Sequence, residues 1–238
     1  MDPSHYRAAI KSSIEQDRAE ILTRLRDMIK SGAGTRVKLV NYYKGLPISY
    51  PATLVELCGE VLELDVHPQQ AVALGHSGRT CIKCGGFPQS LLAEVKDSDV
   101  RRMMASLHNF CYIDVLAEQR TSLRLELDPP CEAEIAAPGG TLTAKALDVS
   151  LGGFSILSEA PSNLAKGDEV VLKVMIPNPL HNTVTPLQVN AAVVDCTKEE
   201  GGDLCRFSIY SDAHIEGVLS RFIFQRQVDL IRELKEMS

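Results

Sequence analysis

The chain has 238 residues, 45% of them hydrophobic and 5% aromatic, with no Trp; that suffices for one large or two modest domains around aliphatic cores. Its formal net charge of −6 argues against a general DNA or RNA binder, whose surface must be basic, yet a few focused Arg can still hold an anionic ligand. Residues 1–11 lack an apolar signal core and no run of about 18 apolar residues occurs, so neither secretion nor a membrane span is expected.

The seven Cys (Cys58, Cys81, Cys84, Cys111, Cys131, Cys196 and Cys205) are scattered and odd in number. The expectation is a reducing cytoplasm in which most of them act as small core residues.

Along the chain, Ile10, Ile14, Ile21, Leu25 and Met28 recur at helical spacings, with Leu22 and Ile29 beside them. The pattern predicts an amphipathic N-terminal helix, stopped by Gly32 and Gly34. Glu15, Asp17 and Glu20 suit a packing helix better than one lying on anionic lipid. From Arg36 the pattern becomes strand-like, with runs at 37–43, 48–57 and 61–66 and a tight hairpin at Cys58-Gly59-Glu60. Further short runs at 71–74, 79–83, 91–96 and 101–116, without alternating helices, predict a small barrel or sandwich.

A second strand-rich block starts near Glu118. Leu123, Leu125 and Leu127 alternate with Arg124, Glu126 and Asp128, which puts the Leu inward and Arg124 on the outer face. Asp128-Pro-Pro130 bends that strand or marks an edge. Runs at 141–148 and 153–158 pair around an Asp-x-Ser turn, and runs at 170–176, 184–196 and 204–210 bring the block to about six strands. Turns fall at 166–168, 177–179 and 200–203. A closing helix spans about 212–237, with Asp212 as its N-cap.

Two motifs carry the chemistry. Arg120-Thr-Ser-Leu-Arg124 is Arg-x-x-x-Arg entering a strand, and Asp148-Val-Ser150-Leu-Gly152-Gly153 is Asp-x-Ser-x-x-Gly at the end of another. Arg grips phosphate with a planar fork of donors and stacks its flat face on a base. A carboxylate accepts from the N–H groups of a guanine edge. Gly lets backbone approach closely or take positive φ. Taken singly, each motif has a plain alternative: surface ion pairs of the two Arg with Glu118, Glu126 or Asp128, and an ordinary turn at Asp-x-Ser.

In this order and separation, the two motifs resemble the signature of the PilZ family, receptors for the bacterial second messenger cyclic di-GMP. The late Cys205-Arg206-Phe207 strand and the terminal helix with Arg221 and Phe222 add to the resemblance. It implies a mainly β fold: two small antiparallel β-barrels in tandem, with an N-terminal and a C-terminal helix. Residues 1–115 would form a helix plus a split barrel of the YcgR flagellar-brake type, and 116–238 a six-stranded PilZ barrel with its helix. The ligand would be held by Gln119, Arg120, Arg124, Asp148, Ser150, Gly152 and Gly153 at the domain junction. Family members often carry Glu-Arg-Arg where this chain has Glu118-Gln119-Arg120. Gln119 lacks the charge that helps hold a second stacked ligand.

The implied protein is a cytoplasmic, non-enzymatic effector of motility or biofilm output, signalling to an unidentified protein such as flagellar motor or polysaccharide synthesis machinery. Two alternatives come from other classes: an adaptor without ligand, and a flavin-binding split-barrel oxidoreductase. Cys81-Ile-Lys-Cys84 is a lone Cys-x-x-Cys without a second pair for structural zinc, and it reads as half-buried thiols. No catalytic set and no metal site is expected.

Overall fold

The computed structural model describes residues 5–137, 139–178 and 183–238. The chain divides into two compact units: one gathers the residues through Tyr43, Pro47–Thr121 and Ile231–Ser238, the other Lys44–Leu46 and Ser122–Leu230.

In the first unit, strand β1 (Tyr6–Ala8) precedes helix α1 (Ile14–Ser31). The Ser13 hydroxyl accepts from the Gln16 N–H, and Gly32 ends the helix at φ 69°, where glycine carries no steric penalty. Ile21, Leu22 and Leu25 are buried; each such side chain contributes roughly 1.5–3 kcal/mol. The stripe is shorter than its sequence pattern, because Ile10 precedes the helix and Ile10 and Ile14 are 59% and 51% exposed.

Strands β2 (Arg36–Tyr43), β3 (Leu46–Ile48), β4 (Pro51–Cys58), β5 (Val61–Asp65), β6 (Arg79–Lys83), β7 (Ser90–Asp99) and β8 (Met104–Val115) follow. Six of them close a ring in the order β8-β5-β4-β2-β6-β7, with β7 pairing back onto β8; β1 adds to β8 and β3 to β2. The hairpin at Gly59-Glu60 forms as the sequence predicts, pairing Cys58 with Val61. Leu62, Leu64, Leu91 and Leu107 fill the ring with Phe110 and Tyr112.

One element reverses the sequence reading. The strand-like run at 71–74 lies inside helix α2 (Pro68–Ser77). Pro68 sits at its start, where a missing N–H costs nothing; His67 Nδ1 accepts from the Gln69 N–H and Gly78 caps the end. Four apolar residues were too few to reveal a helical period.

A single 3₁₀ turn, Leu116–Gln119, leads toward the second unit. Strands β9 (Arg124–Ala137), β10 (Gly140–Ser150), β11 (Gly153–Ser158), β12 (Glu169–Asn178), β13 (Thr183–Glu199) and β14 (Gly202–Ile209) form a closed barrel in the order β10-β11-β14-β13-β12-β9. Leu125, Leu127, Ile135, Val149, Ile156, Leu172, Val189 and Phe207 point inward, so the core is largely aliphatic. The Pro129-Pro130 step interrupts the β9–β10 ladder: Glu126 pairs with Asp148, and the next partners are Cys131 and Ala146. Proline has no N–H for the ladder. Lys44–Leu46 belongs to this unit. The Lys44 carbonyl accepts from the Glu126 N–H at 3.1 Å, and the Lys44 ammonium pairs with Asp128 at 3.1 Å.

Helix α3 (Ala213–Glu236) closes the chain. The Asp212 carboxylate caps it, accepting from the Ile215 N–H at 2.8 Å. Of the turn read at 177–179, Pro179 lies outside the described residues; β12 continues through Asn178 and pairs it with Thr183.

The cysteine reading also needs correcting. Cys196 and Cys205 face one another across β13 and β14 and form a disulfide. Their separation of nine residues resembles no framework spacing, and only strand register brings them together.

Candidate ligand-binding site

The second motif spans the β10–β11 hairpin. Asp148 and Ser150 both lie within β10, so the turn is Leu151-Gly152 rather than Asp-x-Ser itself, and Ser150 pairs with Gly153. Arg124 opens β9 directly opposite Ser150. Opposed residues of an antiparallel pair share one face, so Arg124, Asp148 and Ser150 project from the same side of the barrel.

Asp148 decides what this face can do. Its Oδ1 is buried and accepts no hydrogen bond among the described residues. The nearest cation is Arg124, whose Nε lies 3.9 Å away, within ion-pair range but too far for a hydrogen bond. A buried carboxylate oxygen without donors costs about 1–3 kcal/mol or more, and folds retain such an atom when a bound water, an ion or a function requires it. Arg124 therefore has the other motif's carboxylate as its neighbour. Glu118 instead pairs with Lys83, and Asp128 with Lys44.

The remaining motif residues build the backbone here. Ser150 is 6% exposed, and its hydroxyl donates to the Gly153 carbonyl at 3.4 Å. A Cβ on Gly153 would stand 1.9 Å from the Phe207 carbonyl oxygen, so only glycine lets β11 lie this close to β14. The Gly152 carbonyl accepts from the Ile209 N–H at 3.1 Å. These glycines shape the hairpin through the backbone.

Gln119 and Arg120 belong to the first unit. Gln119 is exposed at the end of the 3₁₀ turn, and Arg120 is half-buried just after it. Arg120 lies within electrostatic range of Tyr42, whose phenol is pushed up to about 12, mainly by burial and also by the Glu118 carboxylate, with Arg120 opposing. Tyr42 packs against His5 and Tyr6, ring centroids 4.4 and 6.1 Å away. Of the expected site residues, the second unit thus brings together Arg124, Asp148, Ser150, Gly152 and Gly153.

Register adds residues that the motifs did not reveal. Glu126, Asp148, Ser155, Arg206 and Asp195 form one transverse row across five strands. Arg206 Nη1 donates to Asp195 Oδ1 at 2.9 Å. The sequence hint was an Arg flanked by inward-facing Cys205 and Phe207. A cavity of about 470 Å³ lies elsewhere in this unit, against Leu127, Pro129, Met175 and Phe222. It sets Asp128, Glu132 and Asp229 against one Arg226, the wrong sign for a bisphosphate. Burial pushes the Cys81 thiol up to about 11, which keeps it protonated and unreactive at neutral pH.

Residues 118–225 match the PilZ domain family. That stretch of the chain is similar to a PilZ domain. The match takes in both motifs and all six strands of the barrel. Similar solved structures include the following. Escherichia coli YcgR in complex with c-di-GMP is 16% identical, with a TM-score of 0.46, covering 96% of this chain and 100% of that one. Bacillus subtilis inhibitor of motility MotI/DgrA is 13% identical, with a TM-score of 0.43, covering 82% and 97%. The K. pneumonia MrkH-c-di-GMP complex is 14% identical, with a TM-score of 0.39, covering 98% and 100%. No curated protein matches the chain. Among the described residues, no helix is long and apolar enough to cross a membrane.

Proposed function

We propose that this PilZ-domain protein is a cyclic di-GMP-binding effector whose output is a protein contact rather than a chemical product. The observation that carries the reading is the buried, donorless Asp148 Oδ1 beside Arg124 on one barrel face. A guanine edge supplies the N–H donors that the carboxylate lacks, and the ligand's phosphates supply the anion that Arg124 and Arg120 recognise. Ser150, Gly152 and Gly153 hold the hairpin that presents Asp148.

Arg120 belongs to the first unit, whereas Asp148 lies within the second. A ligand gripped by both restrains the segment 120–124 and selects one arrangement of the chain around it. Only a difference in affinity between arrangements produces such a shift. The uncharged Gln119 favours one ligand molecule per chain.

Isothermal titration calorimetry with cyclic di-GMP tests the reading. Wild type binds saturably, and Arg124→Ala binds at least tenfold more weakly; affinity unchanged from wild type in both Arg120→Ala and Arg124→Ala refutes it. Small-angle scattering with and without ligand tests the restraint, which unchanged profiles at saturation would rule out.

A further inference from the structure

We propose that the Cys196–Cys205 disulfide is a reversible redox-modification site, open to a small dithiol, whose state sets the affinity of the ligand face. The inference rests on the cyclic di-GMP reading above and adds a regulatory input to it.

Three observations carry it. First, the bond is asymmetric in access: Cys196 is half-buried, while Cys205 is fully buried. Attack by an external thiolate therefore falls on the Cys196 sulfur and expels Cys205. Second, the fold accommodates the reduced state. The Cys205 sulfur lies 3.5 Å from the Ser162 hydroxyl, which itself donates to Asp203 at 3.0 Å. A reduced Cys205 S–H thus finds an acceptor in place, and reduction strands no buried polar group. Third, the bond brackets the Arg206–Asp195 ion pair: Asp195 immediately precedes Cys196, and Arg206 immediately follows Cys205. Both ends of that pair lie in the row that holds Asp148 and Ser155.

The chemistry balances with a dithiol as reductant. One reductant thiolate attacks Cys196 Sγ and the Cys205 thiolate leaves and is protonated. The reductant's second thiol then resolves the mixed disulfide, releasing Cys196 as a thiol and the reductant as a cyclic disulfide. Two electrons and two protons pass to the protein. Four of the five free cysteines are poor competitors for such chemistry: Cys81, Cys111 and Cys131 have thiols raised mainly by burial, and exposed Cys58 has a thiol raised mainly by its hydrogen bond with Glu56.

With the bond closed, β13 and β14 are locked in register and Arg206 is held toward the ligand face, about two strand spacings from Asp148 at roughly 5 Å each. With the bond open, that strand end loosens and Arg206 must be ordered on binding. Freezing one long side chain corresponds to roughly a two- to tenfold change in affinity.

The experiment titrates the full chain with cyclic di-GMP after air oxidation and after dithiothreitol treatment, counting thiols in denaturant each time. The expected count is the five free cysteines before reduction and all seven after it. Reduced protein binds roughly two- to tenfold more weakly. Cys196→Ser matches the reduced protein under both conditions, and chemical reduction of wild type gives the same answer should that variant not fold. Arg206→Ala still changes its thiol count but loses the affinity response. Seven thiols in the oxidised sample, or equal affinity in both states, overturns the inference while leaving the ligand reading intact. Absence of binding in both states overturns the ligand reading, and the coupling with it.

Discussion

Asp148→Ala should weaken ligand binding and at the same time leave the unliganded protein at least as stable. In most folds, removing a half-buried charged side chain is destabilising. Here Oδ1 is buried without a donor, a deficit of about 1–3 kcal/mol. What the substitution gives up is the 3.9 Å approach of Arg124, whose side chain is 36% exposed; a pair so long and so accessible contributes at most about 1 kcal/mol. The balance runs from neutral to about 3 kcal/mol of added stability. In the complex the same oxygen accepts charge-assisted hydrogen bonds at about 1.5–3 kcal/mol each, so the variant loses roughly ten- to a hundredfold in affinity. Denaturant unfolding of the unliganded protein and calorimetric titration supply the two numbers. A variant that is destabilised by more than 1 kcal/mol yet binds normally would falsify the reasoning.

Further outcomes follow from particular contacts. Gly153→Ala drives a Cβ to within 1.9 Å of the Phe207 carbonyl oxygen, and overpacking of this kind costs about 1–3 kcal/mol; thermal unfolding measures it, and an unshifted midpoint contradicts the close approach. Titration should end at one cyclic di-GMP per chain, and an endpoint of two would show that Gln119 does not limit stoichiometry. Tyr42 has its pKa raised from 10.0 to about 12 in the folded chain. Between those values the folded state keeps a proton that the unfolded state releases, so the stability is present in full below about pH 10 and is lost as pH rises toward 12. Denaturation midpoints against pH should show that loss in wild type and less of it in Tyr42→Phe.

Much of the fold was legible because barrels write themselves as short alternating runs. The β5 alternation, the Gly59-Glu60 hairpin, the six strands of the second block and the Asp212 cap all announce themselves through local chemistry. Helix α2 did not, because its apolar stretch is a few residues long and its capping residue, His67, is an unusual one. The Ile10–Ile14 end of the first stripe misled for the opposite reason: periodicity shows which face could be buried, not how far the neighbouring strands extend to bury it. At the site, the motifs named Arg124, Asp148 and Ser150. What they could not convey is that Asp148 Oδ1 lacks a donor, that Gly153 is fixed by the Phe207 carbonyl, or that Cys196 and Cys205 are opposed. Those facts arise from register between strands far apart in sequence, which no single run encodes.

The most direct measurement is calorimetric titration of cyclic di-GMP into wild type, Arg124→Ala and Asp148→Ala side by side. The account predicts saturable binding at one molecule per wild-type chain and at least tenfold weaker binding in each variant, both still folded. Wild type that does not bind, or variants that bind as tightly as wild type, would contradict it.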